Sequence, residues 1–210
     1  MTEHKEHYWS KFARTYGDDQ NYVIGKAIPQ LIIQQLSEEH DLGDVIEFGC
    51  GTGYFTQAIA KKAKNVLATD LSDEMLEIAK IQLQKFRNIT VQRINCEATS
   101  FPSERFDTVF MANVIHILAN PIKVLQESHQ ILRNGGLLLV ADFTGYSMSW
   151  FETIKLGIRY FRKWGMPPRY ARNRLSPDEI TSFLENLDFD LEDLYLIGNR
   201  TKALYIRARK

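Results

Sequence analysis

The residues with the clearest chemical meaning are an acidic residue and three glycines at the end of a short apolar run. Residues 45–56 read V-I-E-F-G-C-G-T-G-Y-F-T, with Glu47 ahead of Gly49, Gly51 and Gly53. Glycines allow positive φ angles and carry no Cβ, so a ligand can approach bare amides at a helix N-terminus. The spacing is G-x-G-x-G rather than the dinucleotide G-x-G-x-x-G, and a carboxylate here repels phosphate and attracts an ammonium group. A turn that opens a helix and binds nothing is the alternative.

A second carboxylate follows the next predicted strand. Residues 65–69 form this strand, which ends at Asp70, 19 residues after Gly51, and Ser72 is the expected N-cap of the following helix. In an open α/β sheet this position faces a ribose, and a carboxylate can accept both hydroxyl protons. Asp70 could instead only cap the helix, but its distance from the glycines favours a ribose-containing ligand.

An acidic residue followed by G-x-G-x-G resembles the class I S-adenosylmethionine-dependent methyltransferases, where this motif holds the methionine part of the cofactor. The stretch L-x-x-G-G-x at residues 132–137 also resembles that family. So does the pair Glu97-Ala98, although the usual acid there is aspartate. The resemblance implies that Glu97 accepts from the adenine amino group and that the Ala98 amide donates to a ring nitrogen. It covers residues 42–143 by motif and the remainder by element order only.

Aromatic residues near the N-terminus recur at spacings of three and four: Tyr8, Trp9, Phe12 and Tyr16. Such a stripe can pack onto the sheet. It also resembles the aromatic leader of small-molecule methyltransferases, in which a tyrosine hydroxyl reaches the cofactor's carboxylate; Tyr16 would then close over the cofactor. The full set expected to bind S-adenosylmethionine is Tyr16, Glu47, Gly49, Cys50, Gly51, Asp70, Leu71, Met75, Glu97, Ala98 and Asn113.

Two candidate catalytic residues lie near the ends of the fourth and fifth predicted strands. His116 follows residues 106–112, and Asp142 lies near the end of residues 136–143. Either could act as a general base, which methyl transfer needs only when the nucleophile must lose a proton. The alternatives are a histidine bonded to local backbone and a structural acid paired with an arginine.

The order of predicted elements indicates an α/β fold, namely a Rossmann-like three-layer α/β/α sandwich. Its seven-stranded, mostly parallel sheet ends in an antiparallel C-terminal hairpin. Asn134-Gly135-Gly136 is expected to stop the helix that Asn120-Pro121 begins. Strands are predicted at 45–48, 65–69, 89–95, 106–112, 136–143, 191–197 and 202–208. One methyltransferase domain over 1–210 is expected, with an N-terminal helical cap (1–40), a cofactor-binding core (41–143), an insert (144–174) and a C-terminal helix and hairpin (175–210).

The insert differs in composition from the rest of the chain. Residues 144–174 hold seven aromatic and seven basic residues, with Glu152 the only acid. The helical spacing predicts an apolar face and a basic face. Trp150, Ile154, Gly157, Phe161 and Trp164 form the first; Lys155, Arg159, Arg162 and Lys163 form the second. The insert could be a packed cap, an aromatic lid over a small substrate, or a contact with an anionic membrane through residues 147–164.

Composition limits the remaining classes. The 210 residues contain 26 basic and 26 acidic side chains, and only the insert is basic, so no nucleic-acid partner is expected. Cys50 and Cys96 are too few for a disulfide framework, and the scattered histidines give no metal site. No apolar run is long enough for a membrane span, and the polar start is unlike a signal peptide, so a cytoplasmic protein is expected. The oligomeric state stays open.

The sequence therefore predicts an S-adenosylmethionine-dependent methyltransferase in the small-molecule branch that resembles the ubiquinone- and menaquinone-biosynthesis enzymes. The expected acceptor is a small molecule, which could be aromatic, quinol-like or lipid-like, and the expected reaction is in-line displacement. A non-catalytic protein that binds S-adenosylmethionine is one alternative. An NAD-dependent oxidoreductase is the other, and the glycine spacing and Glu97-Ala98 disfavour it.

Overall fold

The fold was determined from a computed structural model that describes residues 8–166 and 176–210. Residues 1–7 of the predicted cap and residues 167–174 of the predicted insert lie outside these ranges. The strands are β1 Asp44–Phe48, β2 Asn65–Asp70, β3 Ile89–Arg93, β4 Phe106–Ala112, β5 Leu132–Thr144, β6 Asp190–Ile197 and β7 Lys202–Arg209. The helices are α1 Tyr16–Ile24, α2 Ala27–Glu38, α3 Thr56–Ile59, α4 Asp73–Leu83, α5 Pro121–Ile131, α6 Trp150–Trp164 and α7 Pro177–Glu185, with a 3₁₀ turn at Ile115–Ile117.

The strands form one sheet in the order β3-β2-β1-β4-β5-β7-β6. Strands β1 to β5 are parallel, and β7 is antiparallel to both β5 and β6. The predicted sheet and its antiparallel hairpin are therefore confirmed. The strand order reverses between β1 and β4, where chains leave the sheet in opposite directions and open a crevice beyond the carboxyl ends of the strands.

Apolar side chains cover both faces of this sheet. On one face, Ile28, Ile32 and Leu36 of α2 belong to an apolar cluster with side chains of β1, β4, β5 and β7. On the other, Val124 and Leu125 of α5 pack with Ile180 and Leu184 of α7. Burying an aliphatic side chain of this size contributes about 1.5–3 kcal/mol to folding. The two layers confirm the predicted three-layer sandwich, and they hold the strand ends in fixed positions.

Two predicted strand boundaries are wrong. Strand β3 ends at Arg93 because residues after Ile94 enter a turn, in which the Ala98 N–H donates to the Asn95 carbonyl (3.1 Å). Strand β5 starts at Leu132, four residues early, because the Gly135-Gly136 pair lies inside the strand at a register shift against β4. Gly135 adopts φ 76°, and its N–H donates to the carbonyl of Lys210 (2.8 Å).

Most of the apolar face predicted for α6 points away from the domain. Of its five residues only Trp164 is buried. Gly157 is exposed, and Trp150, Ile154 and Phe161 are at least half exposed. The side that packs inward instead carries Leu156, Tyr160 and Trp164. Helical spacing reveals a stripe but does not say which side meets the domain, because tertiary contacts at the end of the helix decide its rotation.

Neither a membrane-spanning helix nor a metal-ligand cluster is found among the residues that the structure describes. No helix within residues 8–166 and 176–210 combines the length and the apolar character of a membrane span. Over the same residues, no group of three His, Cys, Asp or Glu side chains comes together as metal ligands would.

Candidate active site

A cavity of about 410 Å³ opens at the carboxyl ends of β1, β2 and β4. This volume falls in the range of small-molecule sites, and the position is where open α/β sheets bind ligands. Nine of the eleven predicted cofactor-binding residues line it: Tyr16, Gly49, Cys50, Gly51, Asp70, Leu71, Met75, Glu97 and Asn113. The other two, Glu47 and Ala98, are not among the lining residues.

The glycine turn fits closely against its neighbours. Gly49 has φ 70°, and a Cβ there would lie 2.4 Å from Cγ2 of Val114. At Gly51 the nearest heavy atom to such a Cβ is Cε1 of Tyr16, 4.0 Å away, so this residue borders open space in the cavity. The helix predicted to start at the turn is only α3, four residues long. The turn therefore presents backbone to the cavity without a long helix behind it.

Asp70 joins the end of β2 to the glycine turn. Its Oδ2 accepts from the Gly51 N–H (2.9 Å), and its Oδ1 accepts from the Ser72 N–H (2.9 Å). Ser72, not Asp70, caps α4, because its hydroxyl accepts from the N–H of Met75 (3.2 Å). Burial raises the pKa of Asp70, and the backbone N–H bonds oppose that rise. The carboxylate thus lines the cavity and is not the helix cap.

Glu47 lies behind the glycine turn, where the sequence predicted a direct contact with the ligand. Its side chain is buried, and its Oε2 accepts from the hydroxyl of Thr56 (2.6 Å). Loss of solvent raises the pKa of Glu47 to about 8, although the Thr56 bond lowers it; the Asp70 charge raises it further. With a pKa of about 8, Glu47 is mostly protonated at neutral pH in the ligand-free protein, and Thr56 occupies one of its carboxyl oxygens.

The predicted adenine contacts have different outcomes. Glu97 lines the cavity, and its N–H donates to Oδ1 of Asn95 (3.0 Å). Ala98 is exposed and its N–H donates to the Asn95 carbonyl, so the predicted bond from Ala98 to an adenine nitrogen would have to replace this turn contact. Asn95 itself lines the cavity. No motif marks Asn95 in the sequence, because its role depends on the turn it forms.

Asn113 has an unusual backbone and an unpaired side-chain donor. It follows β4 with φ 57°, a left-handed conformation that is uncommon outside glycine. Its Oδ1 accepts from the Phe143 N–H (3.2 Å), which fixes the orientation of the amide. The Nδ2 group is buried and has no hydrogen-bond partner among the described residues. An unpaired buried donor is costly, and Asn113 lines the cavity, so a ligand acceptor that reached Nδ2 would offset that cost.

The two predicted bases contact each other. Nδ1 of His116 is hydrogen-bonded to Oδ1 of Asp142, while Oδ2 accepts from the N–H groups of Ile115 (2.5 Å) and His116 (3.2 Å). Asp142 is buried and His116 is partly exposed. Asp142 therefore pairs with a histidine, not with the arginine of the alternative interpretation. Neither residue is among the cavity-lining residues, whereas Ile117 and Leu118 after His116 are.

The N-terminal aromatic segment forms part of the cavity wall. Trp9 and Tyr16 both line the cavity, and the Tyr16 ring stacks on Trp164 of α6 (centroids 6.0 Å apart). Burial raises the pKa of the Tyr16 hydroxyl, and the charges of Asp70 and Asp142 raise it further. Trp9 and Trp164 were not predicted as site residues. The aromatic stripe was the available signal for Trp9, while nothing in the sequence connects Trp164 to Tyr16.

Comparison with known proteins agrees with this geometry. Residues 46–140 match the methyltransferase domain family. The chain superimposes on the crystal structure of a SAM-dependent methyltransferase from Aquifex aeolicus with a TM-score of 0.67 at 19% identity, covering 94% of this chain and 97% of that one. The chain therefore contains a stretch similar to the methyltransferase domain family and has the fold of the class I S-adenosylmethionine-dependent methyltransferases. The predicted class and the predicted cofactor, S-adenosylmethionine, are confirmed.

Curated relatives give more specific similarities. The chain is 32% identical over 152 residues to a demethylmenaquinone methyltransferase of Tropheryma whipplei, covering 72% of this chain and 60% of that protein. It is 26% identical over 151 residues to a ubiquinone biosynthesis O-methyltransferase of Dinoroseobacter shibae, covering 71% and 60%. The chain thus spans about three-fifths of the length of these relatives.

Proposed function

We propose that the protein transfers a methyl group from S-adenosylmethionine to an oxygen or carbon of a small phenolic or quinol acceptor. The observation that carries this proposal is the cavity that joins the glycine turn, Asp70 and the unpaired amide of Asn113. The names of the curated relatives support a quinone-type acceptor. S-adenosylmethionine, when bound, supplies an activated methyl group, so no covalent intermediate with the protein is needed.

The residues of the cavity fit this cofactor by their chemistry. Asp70 can accept from ribose hydroxyls, since each carboxylate oxygen has one lone pair beyond its backbone bond. Glu97 is the acid beside the adenine position. A bound ammonium group would favour the ionised form of Glu47, and the amide of Asn113 supplies a donor for a carboxylate or hydroxyl oxygen. Tyr16 closes the cavity over Gly51 and keeps water from this side.

His116 is the proposed general base. Its bond to Asp142 orients the ring with Nδ1 toward the carboxylate, which leaves Nε2 with the lone pair that can take a proton. Two backbone N–H groups hold the carboxylate in place. A phenolic or quinol hydroxyl next to Nε2 would become a better nucleophile as it loses its proton. The proposal needs the acceptor to lie beyond β4 and β5, beside rather than within the cofactor cavity.

The experiment is turnover with labelled methyl. The purified chain is incubated with methyl-labelled S-adenosylmethionine and a series of phenols, hydroquinones and naphthoquinols with short side chains, and label in the extracted acceptor is counted. Label in a quinol or phenol, absent with His116→Gln and retained with the exposed control His40→Gln, supports the proposal. Tight cofactor binding without label transfer to any acceptor would favour the non-catalytic alternative.

The predictions of membrane contact and of cellular location belong to the same proposal. A quinol with an apolar tail dissolves in the membrane. Contact with an anionic membrane through residues 147–164 would therefore bring the protein to its acceptor. A cytoplasmic location is compatible with that contact and stays a prediction. Fractionation of cells, with and without a high-salt wash, would test both.

A further inference from the structure

Helix α6 is attached to the domain along one side. The hydroxyl of Tyr8 contacts both the hydroxyl of Tyr160 (3.1 Å) and the carbonyl of Trp164 (2.9 Å). Nζ of Lys163 pairs with Oδ1 of the buried Asp19 (2.8 Å). These contacts fix the rotation of the helix about its axis. The opposite side must therefore face away from the domain.

That outward side carries five large apolar residues. They are between 49% and 65% exposed: Trp150, Phe151, Ile154, Ile158 and Phe161. At 100° per residue they occupy an arc of about 100°, and from first to last they extend about 16 Å along the helix. We call these five residues the outer stripe. Single exposed apolar residues are ordinary on a soluble protein, whereas a continuous stripe of this kind marks an interaction surface.

Basic residues border the outer stripe. Lys155 and Arg162 are exposed and follow Phe151 on the helical wheel within about 40°. Arg159 lies one step further round. The helix has four basic residues and one acid, Glu152, which faces Lys155 at 3.5 Å. An apolar face with a basic margin and aromatic residues at its ends is typical of helices that lie in the interface of an anionic membrane.

We infer that α6 docks the protein on an anionic lipid surface, with the outer stripe among the acyl chains and Lys155 and Arg162 at the level of the headgroups. Charge selects this partner over a second copy of the chain. A symmetric dimer with its twofold axis perpendicular to α6 would bring the two basic margins together, where they repel. Anionic headgroups complement them.

The inference deepens the proposed function, since the stripe begins six residues after β5, the strand that carries Asp142. Docking would hold the acceptor side of the sheet near the bilayer, where an apolar acceptor dissolves. Vesicle binding can still be measured without cofactor or acceptor. A failure of docking and a failure of methyl transfer are therefore separate results.

The test is flotation of the full chain with vesicles of phosphatidylcholine alone or with one part in four of phosphatidylglycerol. The expected result is recovery with the anionic vesicles at low salt, at least about tenfold above neutral vesicles, and release at about 0.5 M salt. Trp150 provides a second signal, because its exposed indole should shift to shorter emission wavelengths on binding. The double variant Ile154→Ser/Phe161→Ser should lose flotation by about tenfold or more.

Matched variants make the result specific. Ile81 of α4 is 67% exposed and away from α6, so Ile81→Ser should float like the wild type. Lys155→Gln/Arg162→Gln should lose the preference for anionic vesicles, whereas Lys80→Gln should keep it. Thermal melting verifies that each variant is folded. Absence of flotation at low salt, or equal flotation of the double serine variant, would overturn the inference. A dimer that dissolves with the same serine substitutions would assign the stripe to a second copy and would also overturn it.

Discussion

Asp142 holds His116 from two directions, with one carboxylate oxygen on the imidazole Nδ1 and the other on the backbone N–H of the same residue. The ring and the backbone are thus positioned by a single buried acid at the end of β5. Such an arrangement fixes both the tautomer and the direction of Nε2. It distinguishes this histidine from one that is merely bonded to nearby carbonyl groups.

The first prediction concerns this pair. His116→Gln should lower kcat by about 10²- to 10⁴-fold, because no general base then removes the proton from the acceptor hydroxyl. The dissociation constant of S-adenosylhomocysteine, measured by calorimetry, should stay the same. Asp142→Asn should also lower kcat, since an amide can no longer accept from all three donors. If His116→Gln retained the wild-type kcat with every active acceptor, His116 would not be a base.

Asn113 provides the second prediction. Asn113→Ala and Asn113→Gly both remove the unpaired amide, so each should weaken S-adenosylhomocysteine binding by about 1 kcal/mol or more. The two differ in the ligand-free protein, because glycine accepts φ 57° and alanine pays a conformational penalty of roughly 1–2 kcal/mol. Urea unfolding should therefore find the glycine variant more stable than the alanine variant. Equal cofactor affinity in the wild type and both variants would mean that Nδ2 has no ligand partner.

Asp70 provides the third prediction. Asp70→Ala should weaken S-adenosylhomocysteine binding by more than about 1 kcal/mol, since charge-assisted bonds to the ribose are lost. Asp190→Ala, an exposed acid at the start of β6, should bind like the wild type. Repeating the titration with adenosine and with 2′-deoxyadenosine separates the contribution of the ribose hydroxyl to the binding free energy from that of the adenine. An Asp70→Ala variant that still prefers adenosine by the wild-type margin would remove Asp70 from the ribose.

Glu47 provides a prediction about pH. Its folded pKa is about 8, above the ordinary value of 4.5, because burial disfavours the charged form. The contribution of protonated Glu47 to the free energy of unfolding is fully present below about pH 4.5 and is lost as the pH rises through 8. Glu47→Gln keeps an acceptor for Thr56 and has no such loss. Without ligand, the variant should therefore gain stability relative to the wild type between pH 5 and 9, by several kcal/mol at most.

Urea unfolding at about pH 5.5 and pH 8.5 measures this difference. Glu77→Gln on the exposed side of α4 is the control, and its difference from the wild type should not change with pH. A constant difference for Glu47→Gln as well would show that Glu47 titrates near its ordinary value and is accessible to solvent.

Much of the fold and part of the site could be predicted from local sequence. The glycine spacing, the acid after β2 and the N-cap at Ser72 depend on neighbouring residues, and the structure confirms their positions. The Ser72 hydroxyl accepts from the Met75 N–H (3.2 Å) at the start of α4. Local rules of this kind act within a few residues and can be read along the chain.

The remaining features depend on contacts that form only when the chain folds. The Ala98 N–H is bonded within the turn that ends β3, and the Glu47 side chain is bonded to Thr56 behind the glycine turn. The rotation of α6 follows from Tyr8 and Asp19, which lie more than 130 residues away in the sequence. Periodicity shows that such a helix has two faces, but the partner that fixes one of them is visible only in the folded chain.

The most direct test of the central claim is calorimetric titration of the purified protein with S-adenosylhomocysteine and, separately, with NADH. We predict binding of S-adenosylhomocysteine at one site with micromolar affinity, weakened in Asp70→Ala and unchanged in Asp190→Ala, and no heat with NADH. Binding of NADH without binding of S-adenosylhomocysteine would contradict the methyltransferase account, because the cavity around Gly51, Asp70 and Glu97 would then serve another cofactor.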